Sequence, residues 1–291
     1  MRAIKKPSQE PLYVYQLCIS RIVNGDIKER LNQVSKDIEL AAVDYDLMAS
    51  TQKLYAISPI NCGEDDIALG RVTRKELNNT YKNQMRRRGK PARRIYDELL
   101  FAPNQICPFC GLSQVATLDH YLPKSKYPQF SVLPSNLVPA CQDCNSGKGA
   151  KITATPEEQV LHPYFDHDHF IDEQWLYAEV KQTSPVVIRF FVQPPNKWDN
   201  TSQARVENHF KEFDLSRRYS IQAADETISI CSLLTISYAG IDNSLAKQFI
   251  KEELKTHAKV HAEQHINSWK TAMFQALADS EWYCKAGFRL S

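Results

Sequence analysis

The stretch that decides the fold opens with Cys107-Pro108-Phe109-Cys110-Gly111. It continues through Leu118-Asp119-His120-Tyr121-Leu122-Pro123-Lys124-Ser125 and Ser135-Asn136-Leu137-Val138-Pro139-Ala140, and closes on Cys141-Gln142-Asp143-Cys144-Asn145-Ser146-Gly147-Lys148. Two Cys-x-x-Cys pairs, separated by thirty residues, bring four thiolates to the two ends of one segment. Each pair makes a tight turn that points both sulfurs at one ion, and a tetrahedron of four sulfurs is a set that zinc favours. Gly111 supplies the positive φ that follows such a turn. With every ligand drawn from protein, no coordination position stays open. The zinc expected on Cys107, Cys110, Cys141 and Cys144 is therefore structural. An iron–sulfur cluster takes the same ligands, and unrelated buried thiols are the plain alternative.

Between and just after the pairs come an Asp-His step, a central Asn, and an Asn directly after the second Cys-x-x-Cys. This order resembles the HNH, or ββα-metal, endonuclease family over about forty-five of 291 residues. The resemblance implies a metal-dependent phosphodiesterase acting on nucleic acid, DNA first and RNA or tRNA second. It implies that His120 is the general base and that Asp119 binds a catalytic divalent cation. Asn145 stands where many members carry His, as the last metal ligand. Asn136 would hold the loop and orient His120 through a backbone hydrogen bond. An Asp–Asn oxygen pair suits Mg²⁺ or Mn²⁺ better than a second zinc. The motif style is also similar to stand-alone HNH nucleases paired with ATPases in bacterial antiphage systems such as Septu. That implies a defence role and a partner ATPase. A non-catalytic zinc knuckle that binds nucleic acid or staples an assembly is the rival reading.

The chemistry asks for these residue types. Hydrolysing a phosphodiester needs a proton acceptor, and a neutral imidazole removes a proton from water at physiological pH. It also needs charge neutralisation at phosphorus, which a hard cation on oxygen ligands supplies. Lys148, read as opening a short helix after Gly147, is expected to contact a phosphate, with Lys124 as a weaker second.

Outside the motif, ten Lys/Arg and the single acid Glu76 lie between Arg71 and Arg94, so the rest of the chain is net negative although the whole is +2. A polyanion-binding face needs such an asymmetry, and Arg86, Arg87 and Arg88 are its densest run. The N-terminus has no apolar signal core, and no apolar run reaches membrane length, so a soluble cytoplasmic protein with no membrane partner is expected.

The pattern reads as helix-rich α+β, with a central metal module at 103–169 between a helical N-terminal region (1–102) and a C-terminal scaffold or docking region (170–291). Thr73 and Glu76 form a capping box that starts a helix running to about Arg88, broken at Gly89-Lys90-Pro91. A second helix covers Ala92–Phe101 and leads into Pro103. Strands are expected around 175–180 and 186–192, followed by helices at 202–215, 221–234 and 244–277. His162, in a run with His167 and His169, is a candidate neighbour of the active metal or, more plainly, part of an aromatic loop. His257, His261 and His265 are spaced to form one stripe along a helix, read as a polar face.

Overall fold

The computed structural model describes residues 1–101, 105–166 and 168–289, except the side chain of Asn243. Pro103 and His167, named above, lie outside them. The chain divides into two compact units, Arg2–His167 and Asp168–Ser291. Both fit the expected helix-rich α+β class.

In the first unit, local chemistry sets the helix starts. Pro11 opens α1 (Pro11–Ile19), whose first amides donate to the Glu10 carboxylate. Asn24 caps α2 (Gly25–Gln33), and α3 (Ser35–Ser50) follows. A short hairpin of β1 (Ile67–Leu69) and β2 (Val72–Thr73) leads to α4 (Arg74–Asn79). Thr73 and Glu76 form the expected reciprocal capping box there. The helix does not run on regularly to Arg88. A π turn occupies Thr80–Met85. The Arg86 amide reaches back five residues to the Tyr81 carbonyl, and the Thr80 hydroxyl donates to the Leu77 carbonyl at 2.6 Å. Gly89, at φ +78°, ends the run, and α5 (Arg93–Phe101) resumes.

The strands β3 (Thr117–His120) and β4 (Leu137–Ala140) pair antiparallel, Asp119 opposite Val138 and His120 opposite Leu137. Pro139 is tolerated because a two-stranded pair leaves each strand an outer edge that needs no amide. α6 (Gln142–Lys148) follows directly, with Cys141 as its N-cap. One core of buried side chains joins Val14, Ile38, Tyr81, Met85, Ile95 and Leu99 to Leu118 and Leu137. The strand pair is thereby anchored on the N-terminal helices.

The second unit holds α7 (His169–Asp172), the hairpin β5 (Leu176–Lys181) and β6 (Val187–Val192), then α8 (Asn200–Glu212) and α9 (Leu215–Ser237). Ser216 and Ser220 on α9 donate to the Phe190 and Ile188 carbonyls of β6. The single helix expected over 244–277 is two. α10 (Asn243–Gln264) ends where His265 turns extended (φ −167°, ψ 104°), and Ser268 caps α11 (Trp269–Asp279). His265 therefore leaves the stripe, while His257 and His261 stack on Phe274. A short α12 (Glu281–Lys285) follows. Among the described residues no helix is long and apolar enough to cross a membrane.

Candidate metal centre and active site

The four motif cysteines converge. Cys107 opens a tight turn in which the Gly111 amide donates to the Cys107 carbonyl at 2.7 Å, and Gly111 takes φ +62°. Cys141 comes from the end of β4 and Cys144 from the first turn of α6. All four are buried, and their sulfurs lie within 4.8 Å of one another. Zinc–sulfur bonds of about 2.3 Å put tetrahedral sulfur–sulfur edges near 3.8 Å, and Cys110 and Cys141 are 3.9 Å apart. Hydrogen bonds, from Cys107 first, pull the Cys110 thiol down to about 6 and hold Cys141 well below the usual thiol range. Cys107 and Cys144 are pushed up, chiefly by their hydrogen bonds with Cys110 and Cys107 respectively. Such crowding favours thiolate on part of the set, which is the form that ligates. The cluster can hold a zinc ion.

Asp119 and His120 end β3 within one register step of each other. They line a cavity of about 330 Å³ together with Asn145, Asn78, Glu64, Lys82 and Lys124. Asn145 projects from α6, half-buried, and its side-chain amide makes no hydrogen bond among the described residues. His120 is buried, and its Nε2 stands 2.8 Å from the Ser131 carbonyl. A carbonyl only accepts, so in a neutral ring Nε2 carries the proton and Nδ1 keeps its lone pair. Burial first, then Lys124, pushes the His120 pKa down to about 3. Tyr81 braces the ring edge-on at 4.5 Å between centroids.

Asn136 is fully buried and ties the loop between the strands. It accepts from the Leu122 amide at 2.7 Å and donates to the Leu122 and Phe130 carbonyls. The backbone hydrogen bond that holds the His120 ring comes from Ser131, whose own hydroxyl donates to Asn78.

Lys148 departs from expectation. The helix begins at Gln142, so Lys148 closes α6 instead of opening a helix. Its Nζ is buried, donates to the His120 carbonyl at 2.7 Å and lies 2.9 Å from Asp119 Oδ2. That oxygen is buried, so the Lys148 ammonium stands in for the water it has lost. Burial raises the Asp119 carboxyl above its usual range, against the pull of Lys148.

No family model and no solved structure matches the chain significantly. Protein ea31 of Escherichia phage lambda is 34% identical over 248 residues, covering 81% of this chain and 83% of ea31. The chain belongs to the ea31 family. Septu protein PtuB of Bacillus thuringiensis is 32% identical over 83 residues, 27% of this chain and 31% of PtuB.

The remaining expectations for this ea31-family chain divide. Lys124 lines the cavity, whereas Arg86, Arg87 and Arg88 are exposed beyond the π turn and do not line it. Part of the basic run is used internally: Lys75 pairs with Asp65, Arg93 with Asp97, Arg74 donates to the Ser125 carbonyl and Arg94 to the Tyr13 hydroxyl. His162 does not line the cavity. It stacks on Tyr121 and meets the Tyr45 hydroxyl through Nε2. His169, in the second unit, packs against Phe170 and Trp198. Asn78, Lys82 and Tyr81 were missed, since they lie about forty residues upstream of the Asp119–His120 step. The local signals for them were the capping box, which places a helix there, and, for Lys82, the basic run between Arg71 and Arg94.

Proposed function

We propose that this chain is a metal-dependent nuclease of the HNH type that hydrolyses phosphodiester bonds, DNA most readily, with its nuclease module within 103–169. The observation that carries the reading is the convergence of Asp119, His120 and Asn145 on one cavity beside the four-cysteine cluster. The order of a strand pair, β3–β4, followed by a helix, α6, supports it.

Asp119 and Asn145 fit a hard divalent cation. Both offer oxygen, and the Asn145 amide makes no hydrogen bond among the described residues, while Asp119 Oδ2 is held by Lys148 and would exchange that partner for the ion. Mg²⁺ or Mn²⁺ on them would neutralise charge at phosphorus and acidify nearby water. His120 stays neutral at any pH above its depressed value and offers Nδ1 as proton acceptor. The Ser131 carbonyl fixes the tautomer, and Tyr81 fixes the ring plane. Asn136 keeps the loop that carries Ser131 in register. The structural zinc on the cysteines would tie both ends of that segment. Arg86, Arg87 and Arg88 would meet the phosphate backbone outside the cavity, giving little sequence preference. The Septu protein likeness supports a role in bacterial antiphage defence, and a partner ATPase is part of the proposal.

One observation favours the rival, a binding-only knuckle: Lys148 already neutralises Asp119 in the buried pair. The deciding test gives purified protein Mg²⁺ or Mn²⁺ with plasmid, single-stranded DNA and tRNA, with and without the ATPase. His120→Ala is expected to cut turnover by about 10²-fold or more, with zinc content and binding retained. Equal cleavage by the variant, or none by the native protein under every condition, rejects the nuclease.

A further inference from the structure

We propose that Lys82 and Lys124 form a phosphate seat that grips one nucleic-acid backbone phosphate inside the cavity of Asp119, His120 and Asn145. The inference deepens the nuclease reading and rests on it for the identity of the ligand. The two ammonium groups arrive from different elements: Lys82 from the π turn, Lys124 from the loop after β3. Neither forms an ion pair among the described residues.

Lys124 is half-buried and lies over the Tyr81 ring at 5.8 Å from its centroid. There the ammonium gains a cation–π contact with the ring, which holds it at the cavity. Burial, then Lys82, holds its ammonium below the ordinary lysine range, with Arg86 and Lys148 adding to the repulsion. Asp119 faces it with the opposite sign, but Asp119 is matched by Lys148. Glu64 is exposed at the rim and is the other acid among the lining residues. The cavity is thus left with uncompensated positive charge, which an anion entering it would relieve.

The π turn supplies the second observation. A π turn carries more residues than an α turn, so side chains beyond it rotate relative to an unbroken helix, and such turns recur at functional sites. Here the turn places adjacent residues on two tasks. Tyr81 packs against His120 and under Lys124, and Lys82 faces the cavity. Lysine meets phosphate as a point charge without base contact, so the expected ligand is the backbone of DNA or RNA, not a particular base.

The test uses the full chain in a His120→Ala background, so that binding is read without cleavage. A short fluorescent DNA duplex is titrated at several KCl concentrations against Lys82→Met, Lys124→Met and the double variant. Lys53→Met, an exposed lysine away from the cavity, is the control. Each cavity variant is expected to flatten the dependence of log affinity on log salt by about 0.9, and the double by about twice that, with zinc content unchanged. Lys124→Arg keeps the charge and is expected to restore the slope, which separates loss of charge from loss of packing. Inorganic phosphate should compete less well with the double variant than with the parent. An unchanged slope in the double variant, or a change equal to that of Lys53→Met, overturns the seat.

The same lysine variants are then made with His120 intact. Lysine-dependent binding without metal-dependent hydrolysis keeps the seat and rejects the nuclease reading. Hydrolysis that ignores both lysines keeps the nuclease and rejects the seat.

Discussion

At His120 two opposite forces meet: burial disfavours the charged ring, while the Ser131 carbonyl would stabilise a donor. Burial dominates. Because the folded pKa is depressed to about 3 from an ordinary 6.5, the unfolded chain binds the proton more readily. The resulting stability is present above about pH 6.5 and is lost as pH falls toward 3. Asp119 works in the opposite sense. Its raised carboxyl favours the folded state below the ordinary carboxylate pKa of 3.8, and that contribution fades as pH rises through the raised value. Urea titrations from pH 7 to 4, in magnesium-free buffer, should show declining stability in the native protein and a shallower decline in His120→Gln. Asp119→Asn should shift the slope in the opposite direction. Coincident curves for all three would mean that neither group is buried as described.

At the scale of elements, α6 bears on two places with about two turns of helix. Cys144 belongs to the cysteine cluster, Asn145 lines the neighbouring cavity, and Lys148 closes on β3 at the helix end. Removing one member of a buried pair leaves the other charge uncompensated, at about 3–5 kcal/mol. Lys148→Met is expected to destabilise the protein on that scale by denaturant unfolding. Adding Asp119→Asn should recover part of the loss. If Lys148→Met instead leaves stability unchanged and tightens divalent-cation binding measured calorimetrically, the lysine is a competitor for Asp119 and not a structural prop.

At the scale of the whole molecule, the four-cysteine cluster brings distant stretches of chain together, and a zinc ion on it would couple them. Cys107 and Cys141 are far apart in sequence, and the first cysteine turn is also held by the Arg2 amide on the Pro108 carbonyl, the Cys107 amide on the Ser113 carbonyl, a bridge from Ile106 to Gln114 and the burial of Phe109. Chelation, or Cys110→Ser, should release the metal and open the Cys107–Lys148 stretch to protease. Peptide mapping should show cuts there before any in α8–α11. Cleavage spread evenly over both units would contradict a local staple.

The cysteine pairs, the turn at Gly111, the capping box at Thr73 and the Asp119–His120 step were legible in the chain because each depends on neighbours within a few residues. The positions of β5 and β6 were legible for the same reason, through short apolar runs. Other assignments wait on through-space geometry. Lys148 turned inward because the helix it closes packs on β3. His162 became an aromatic core residue because Tyr45 and Tyr121 enclose it, and His265 left its stripe when α10 ended. Lys82 reached the cavity through a π turn that no periodicity announces. Burial is what separates the two groups. Turn and cap energies are set by local backbone and side-chain chemistry, whereas the state and partners of a charged side chain depend on which distant residues exclude water from it.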